Sequence, residues 1–192
     1  MIFVGIDPGA KGGYGILGGS EGSAIAYPYD RDDFLWHMRA LAEKERERPG
    51  SVFCCMEKVA AMPKQGVTST FHFGESFGFL QGVLTALHIP FQLVPPRKWK
   101  GAFSLGSDKG ESVAACRRMF PEVNLLATPR CKKPHDGMAE GLILAAYARR
   151  IYGENQPDSA QNGPGWANGG NNVTGAVLLE KDGERAEGEK NG

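Results

Sequence analysis

His135-Asp136-Gly137-Met138-Ala139-Glu140-Gly141-Leu142-Ile143-Leu144-Ala145 places two carboxylates four residues apart at the start of an apolar helix. Residues at i and i+4 share a helical face, one turn apart. Followed from Glu140, that face runs through Leu144, Tyr147 and Ile151, so the acids lie on the side that turns toward the protein. Pro134 suits a helix start, and acids in the first turn suit the helix dipole. A half-buried carboxylate pair is costly unless a cation sits between its members. A metal site and a merely capped helix are the two readings of this stretch, and the rest of the chain decides between them.

Working outward, residues 2–6 predict a short buried strand that ends in the turn Asp7-Pro8-Gly9. Residues 12–17 predict an antiparallel return and 23–27 a third strand. A helix over 30–48 has Asp30 or Asp32 as its cap and stops at Pro49-Gly50. A strand over 51–56 ends at Glu57, and 62–66 read as a loop. A long helix follows over 68–88, with Gly74, Gly78 and Gly82 spaced by four. Each interior glycine costs about 1 kcal/mol, so the stripe implies close backbone approach, within the subunit in preference to between subunits. Residues 91–94 give a fifth strand stopped by Pro95-Pro96, and 108–120 a helix stopped by Pro121. A basic loop leads to the acid-bearing helix, which runs to about Tyr152. Strands first and βαβ alternation after predict an α/β sheet covered on both faces. Residues 1–152 form one domain. From 153 to 192 the composition turns to Gly, Asn, Ser, Glu and Lys and predicts a disordered acidic tail.

The chain has 192 residues, enough for one domain with a real core, and its apolar runs are too short to cross a bilayer. Met1 leads straight into Ile2-Phe3-Val4 with no basic or apolar leader, which predicts a cytoplasmic protein of a bacterium or a phage-infected host cell. The cysteines (54, 55, 116 and 131) form no CxxC pair and read as reduced, buried thiols. Net charge is zero, but unevenly spread. Residues 92–133 hold nine bases against three acids, and the stretch from Glu154 holds seven acids against three bases. A basic segment therefore lies beside the acid pair.

Asp7 and Glu57 each end an apolar strand, where open α/β sheets place their sites. With Asp136 and Glu140 they make four carboxylates from three separated segments. Like charges at one site repel unless cations intervene. An oxygen-only donor set suits Mg²⁺ or Mn²⁺. Paired ions of this kind promote in-line displacement at phosphorus, so the expected substrate is a phosphodiester.

Val4-Gly5-Ile6-Asp7-Pro8-Gly9 resembles the first motif of the RuvC family of Holliday junction resolvases, and Cys55-Met56-Glu57-Lys58-Val59 the second. Pro95-Pro96-Arg97-Lys98-Trp99-Lys100 with Gly106-Ser107-Asp108-Lys109 is similar to the stretch with two functional lysines. Residues 135–145 resemble the closing motif. The resemblance covers roughly residues 1–152. It implies an RNase H-like fold, a five-stranded mixed central sheet flanked by helices on both faces. It further implies a homodimeric endonuclease that resolves four-way DNA junctions in recombination and repair, with two Mg²⁺ per site and Mn²⁺ able to substitute. Asp7, Glu57, Asp136 and Glu140 would be the metal ligands, and Lys100 and Lys109 the basic pair near the scissile phosphate, Lys109 offsetting developing charge. No membrane and no nucleotide cofactor is expected.

Three departures stand out. The last acids here are spaced i, i+4 where bacterial cellular members space theirs i, i+3, and the final one is Glu where Asp is common. Ala60 and Ala61 stand where the family often has a junction-wedging aromatic. Phe77 stands where an arginine is often found. These point to the phage and viral branch.

Lys58, Lys64, Arg97, Lys98 and His135 are further DNA-contact candidates, with solvated lysines and a merely exposed histidine as the plain alternatives. Trp99 between basic residues suits a sugar or base face, while a core or lid position is the commoner role for such a tryptophan. The competing functions are a junction-binding module without catalysis, a related nuclease acting on other branched DNA or RNA, and an actin-like ATPase. The last needs two lobes, more than about 150 residues supply.

Overall fold

The computed structural model describes residues 1–9, 11–18, 23–60 and 66–153; the side chains of Ser23 and Lys109, and the tail from 154, lie outside that description. The strands are β1 (Ile2–Asp7), β2 (Gly13–Gly18), β3 (Ser23–Pro28), β4 (Val52–Glu57) and β5 (Phe91–Val94). The helices are α1 (Arg31–Glu47), α2 (Val67–Ala86), α3 (Pro96–Ala102), α4 (Lys109–Met119) and α5 (Asp136–Ala148), the last running into a π-helical turn, Arg149–Gly153. One sheet of order β3-β2-β1-β4-β5 results. β1 pairs antiparallel with β2 and parallel with β4, and β4 pairs parallel with β5. This is the mixed, five-stranded central sheet expected from the sequence.

Strand alternation divides the core in two. Val4, Ile6, Cys54 and Met56 pack with α1 and α2 residues such as Phe34, Met38, Leu80 and Leu84. Phe3, Cys55 and Val94 pack on the other face with Trp99, Cys116 and most of α5. The neighbouring cysteines thus face opposite ways as expected, and the described cysteines are free thiols. Burial pushes the Cys55 thiol up to about 12, so it stays protonated and unreactive.

The α1 cap reading holds, with Asp30 the cap. The Asp30 carboxylate accepts from the N–H of Asp32 and Asp33, and that of Asp108 from Gly110. The α5 cap is His135, whose Nδ1 accepts from Met138 N–H at 3.2 Å. Helix α3 was not expected. Pro95-Pro96 read as a strand terminator, yet proline is also favoured in the first helical turn, and here Pro96 begins a helix. None of the described helices is long and apolar enough to cross a membrane.

The glycines of α2 are not where the backbones meet. Among the described residues, a Cβ at Gly74, Gly78 or Gly82 would meet nothing within 4 Å, so the expected packing within the subunit is not seen there. Close approach occurs between α5 and the β1–β2 hairpin. A Cβ on Gly5 would lie 2.1 Å from Ala145 N and Gly141 O, and one on Gly15 would lie 2.3 Å from Leu142 Cα. From the helix side, a Cβ on Gly141 would lie 2.7 Å from Tyr14 Cα. Gly5 and Gly15 are paired in register, so together they open a side-chain-free floor under α5.

These distances predict opposite outcomes for one substitution. Gly15→Ala should destabilise the protein by about 3 kcal/mol or more, because rigid backbone must move. Gly101→Ala, with open space around it on α3, should stabilise by about 0.5–1 kcal/mol. Urea unfolding of both variants checks the pair.

Candidate functional site

Register and alternation place the first two acids. Ile6 of β1 pairs with Met56 of β4, so Asp7 and Glu57 follow one residue later on adjacent parallel strands, about 4.8 Å apart in the sheet. Ile6 and Met56 face α1 and α2. Asp7 and Glu57 therefore alternate to the face that α5 covers. The Asp7 turn closes on itself, with Oδ1 accepting from Gly9 N–H at 3.1 Å.

The other two acids come with α5. Its first turn lies on the β1–β2 turn: a Cβ on Gly137 would lie 2.4 Å from Lys11 O, and one on Gly12 would lie 2.1 Å from Asp7 O. Asp136, next to Gly137, thus enters beside the end of β1. Glu140 is one turn on and only 8% exposed, within a helix buried almost all round. The sequence suggested a single inward face; the helix instead lies between the sheet and α4.

Helix α3 grips two of the acids with consecutive residues. Trp99 is fully buried, and its indole N–H donates to Glu57 Oε2 at 2.8 Å. Lys100 Nζ donates to Glu140 Oε1 at 2.9 Å and lies 5.1 Å from the centre of the Trp99 ring. Ser112 of α4, fully buried, donates to the same Glu140 oxygen at 3.1 Å. Burial pushes the Glu57 carboxyl up, opposed by the Trp99 hydrogen bond; the charge of Glu140 adds to the rise and that of Lys100 opposes it.

The rim thus brings Glu57 and Glu140 into electrostatic contact and sets the first turn of α5, which begins at Asp136, on the turn that follows Asp7. As the side chains lie, no group of three or more His, Cys, Asp or Glu among the described residues is arranged to hold an ion. Glu57 is turned to Trp99, and Glu140 to Lys100 and Ser112. The donor chemistry nevertheless fits a hard divalent cation, being oxygen-only, partly buried and richer in acids than in cations.

Of the basic candidates, Lys58 follows Glu57 at the end of β4, and Arg97 and Lys98 follow β5 on α3; all three are exposed. Lys100 turns inward to Glu140. Lys109 opens α4, its side chain outside the described residues, as is Lys64 altogether. His135 is partly buried as the α5 cap. The sequence reading missed Ser112. Its signal was a hydroxyl placed three and four residues before the buried Ala115 and Cys116, on the inward face of α4.

Fold and rim together define an α/β domain with an acid-lined edge beside exposed bases. Solved structures resembling it include Thermus thermophilus RuvC, 17% identical over 80% of this chain and 97% of that one, with a TM-score of 0.46. T. thermophilus RuvC in complex with Holliday junction substrate is 16% identical over 79% and 96%, with a TM-score of 0.47. The yeast mitochondrial Holliday junction resolvase Ydc2 is 16% identical over 79% and 78%, with a TM-score of 0.43. No family model and no curated protein matches the chain.

Raised by burial, Glu57 opposes folding when ionised: that penalty is absent below its unfolded pKa and complete above its folded one. Glu57→Gln keeps an acceptor for Trp99 and removes the charge. In chelator, the variant should melt higher than wild type at pH 7, and the gap should close as pH falls through the carboxylate range. Calorimetry across that range checks the sign.

Proposed function

We propose that this chain is a divalent-cation-dependent endonuclease that cleaves branched DNA, with the four-way junction as its substrate. The arrangement of the rim carries the reading. Each neighbouring pair of acids has its own structural link: adjacent strands join Asp7 to Glu57, and one helical turn joins Asp136 to Glu140. Electrostatic contact joins Glu57 to Glu140, and Gly12 packs on both the Asp7 carbonyl and Gly137, the residue after Asp136. Four carboxylates drawn together in this way are hard to explain by stability alone.

Asp7, Glu57, Asp136 and Glu140 would hold two Mg²⁺, or Mn²⁺ in their place. When bound, such a pair supplies Lewis acidity that activates water and stabilises the leaving oxygen. The chain's own part is to position and to bind. Trp99 and Ser112 set the two half-buried carboxylates. Lys58, Arg97 and Lys98 meet backbone phosphates in a sequence-independent way. Lys109 sits where a cation is disfavoured by the helix dipole unless an anion faces it. The work is done in the cytoplasm, in recombination and repair.

Asp7→Asn should abolish cleavage, by about 10³-fold or more, and leave junction binding within a few-fold of wild type. A gel assay with four-way junction, flap and RNA–DNA substrates, with and without chelator, reads both. Junction binding with no metal-dependent cutting of any substrate would leave a binding module. Preferred cutting of RNA–DNA would leave a related nuclease.

A homodimer completes the reading, since two opposed strands require two sites. The described surface best suited to a second copy is the open side of α2. There Val67 is 87% exposed and Phe71 69%, beside the uncovered Gly74 and Gly78. Phe71→Asp should shift the protein toward monomer in light scattering and reduce paired cutting to single nicks, while the far-ultraviolet dichroism stays unchanged.

A further inference from the structure

We propose that Lys100 is a resident counter-ion of the acid rim, holding with its ammonium the charge position that a divalent cation takes on binding, so that the two compete for Glu140. The inference rests on the cation-dependent reading above and deepens it.

Lys100 is not placed like a DNA-facing lysine. Arg97 and Lys98 on the same short helix are exposed, whereas the Lys100 side chain is 20% exposed and the Glu140 side chain 10%. Its stem is aimed by its neighbour, with the ammonium 5.1 Å from the Trp99 ring centre, and Trp99 is itself fixed by burial and by Glu57. Ser112 donates to the same oxygen as Lys100, so Glu140 Oε1 is held by two donors at once. A carboxylate so held is turned away from its partners, in keeping with the absence of a ready three-acid group among the described residues.

The charge arithmetic explains why such a residue belongs here. Glu57 and Glu140 repel across the rim and Lys100 attracts both. The ammonium approaches the carboxylate to 2.9 Å, whereas a divalent cation binds oxygens at about 2.1 Å with twice the charge. Lys100 and Ser112 already occupy the lone pairs of Glu140 Oε1, so a cation that binds through this oxygen must displace a donor, and as a like charge at short range it repels Lys100. Cation binding therefore releases Lys100. Once released, its ammonium is free to reach the phosphate side, which couples cation binding to DNA binding through one side chain.

The test is the affinity of the full-length protein for Mn²⁺ without DNA, from the electron paramagnetic resonance signal of the free ion. Wild type, Lys100→Met, Lys100→Arg and Glu140→Gln are compared, with Lys100→Gln as a second neutral variant should the first not fold. Lys100→Met should bind Mn²⁺ about tenfold more tightly, as expected of removing one like charge at short range. Lys100→Arg should stay close to wild type, and Glu140→Gln should bind more weakly. An unchanged or weaker affinity in Lys100→Met, with Glu140→Gln impaired, overturns the counter-ion role and leaves the cation site standing. Equal tightening in Lys100→Arg also overturns it, because the charge would not be the cause. Wild type that binds no Mn²⁺ removes both the counter-ion and the cation reading.

Discussion

The backbone contact between α5 and the β1–β2 hairpin is the constraint on which this structure depends. Gly5 and Gly15 below, with Gly137 and Gly141 above, let main chain meet main chain with no side chain between. Two consequences follow. The helix is buried almost all round without a thick layer of side chains beneath it. Its first turn is also held against the end of β1, so Asp136 and Glu140 arrive at the edge where Asp7 and Glu57 already stand. Larger residues at those glycines would lift the helix and separate the acids, so packing and chemistry are set by the same positions.

A second layer of organisation comes from the opposite side of the rim. Helix α3 and the start of α4 contribute Trp99, Lys100 and Ser112, which donate to Glu57 or Glu140. Half-buried carboxylates need such partners, since an unpaired buried charge is strongly destabilising. The rim is therefore a balanced electrostatic unit in which the Lys100 ammonium lies beside the acids, and Lys58, Arg97 and Lys98 are exposed nearby. The balance is tilted toward negative charge, the condition in which a divalent cation is attracted.

Much of this could be read from the chain, for identifiable reasons. Asp7 and Glu57 were conspicuous because charge directly after an apolar strand is costly without a purpose. The spacing of Asp136 and Glu140 survived because helical periodicity is local. Sheet and helices emerged near their expected bounds because apolar runs and caps are local too. Information held between segments was lost. The glycines of α2 read as a packing face, because spacing alone cannot name the partner. Pro95-Pro96 concealed α3, since proline both ends strands and begins helices. Lys100 read as a phosphate contact because nothing local records that its ammonium turns back to an acid 40 residues away.

The central claim is that Asp7, Glu57, Asp136 and Glu140 form one cation site. Anomalous scattering from crystals of the full-length protein grown with Mn²⁺ tests it most directly. The account predicts manganese peaks at the rim within bonding distance of oxygens from all four side chains, with Glu140 turned away from Lys100. Ordered Mn²⁺ elsewhere, or a rim that stays empty at saturating Mn²⁺ with the Lys100–Glu140 pair intact, would contradict it.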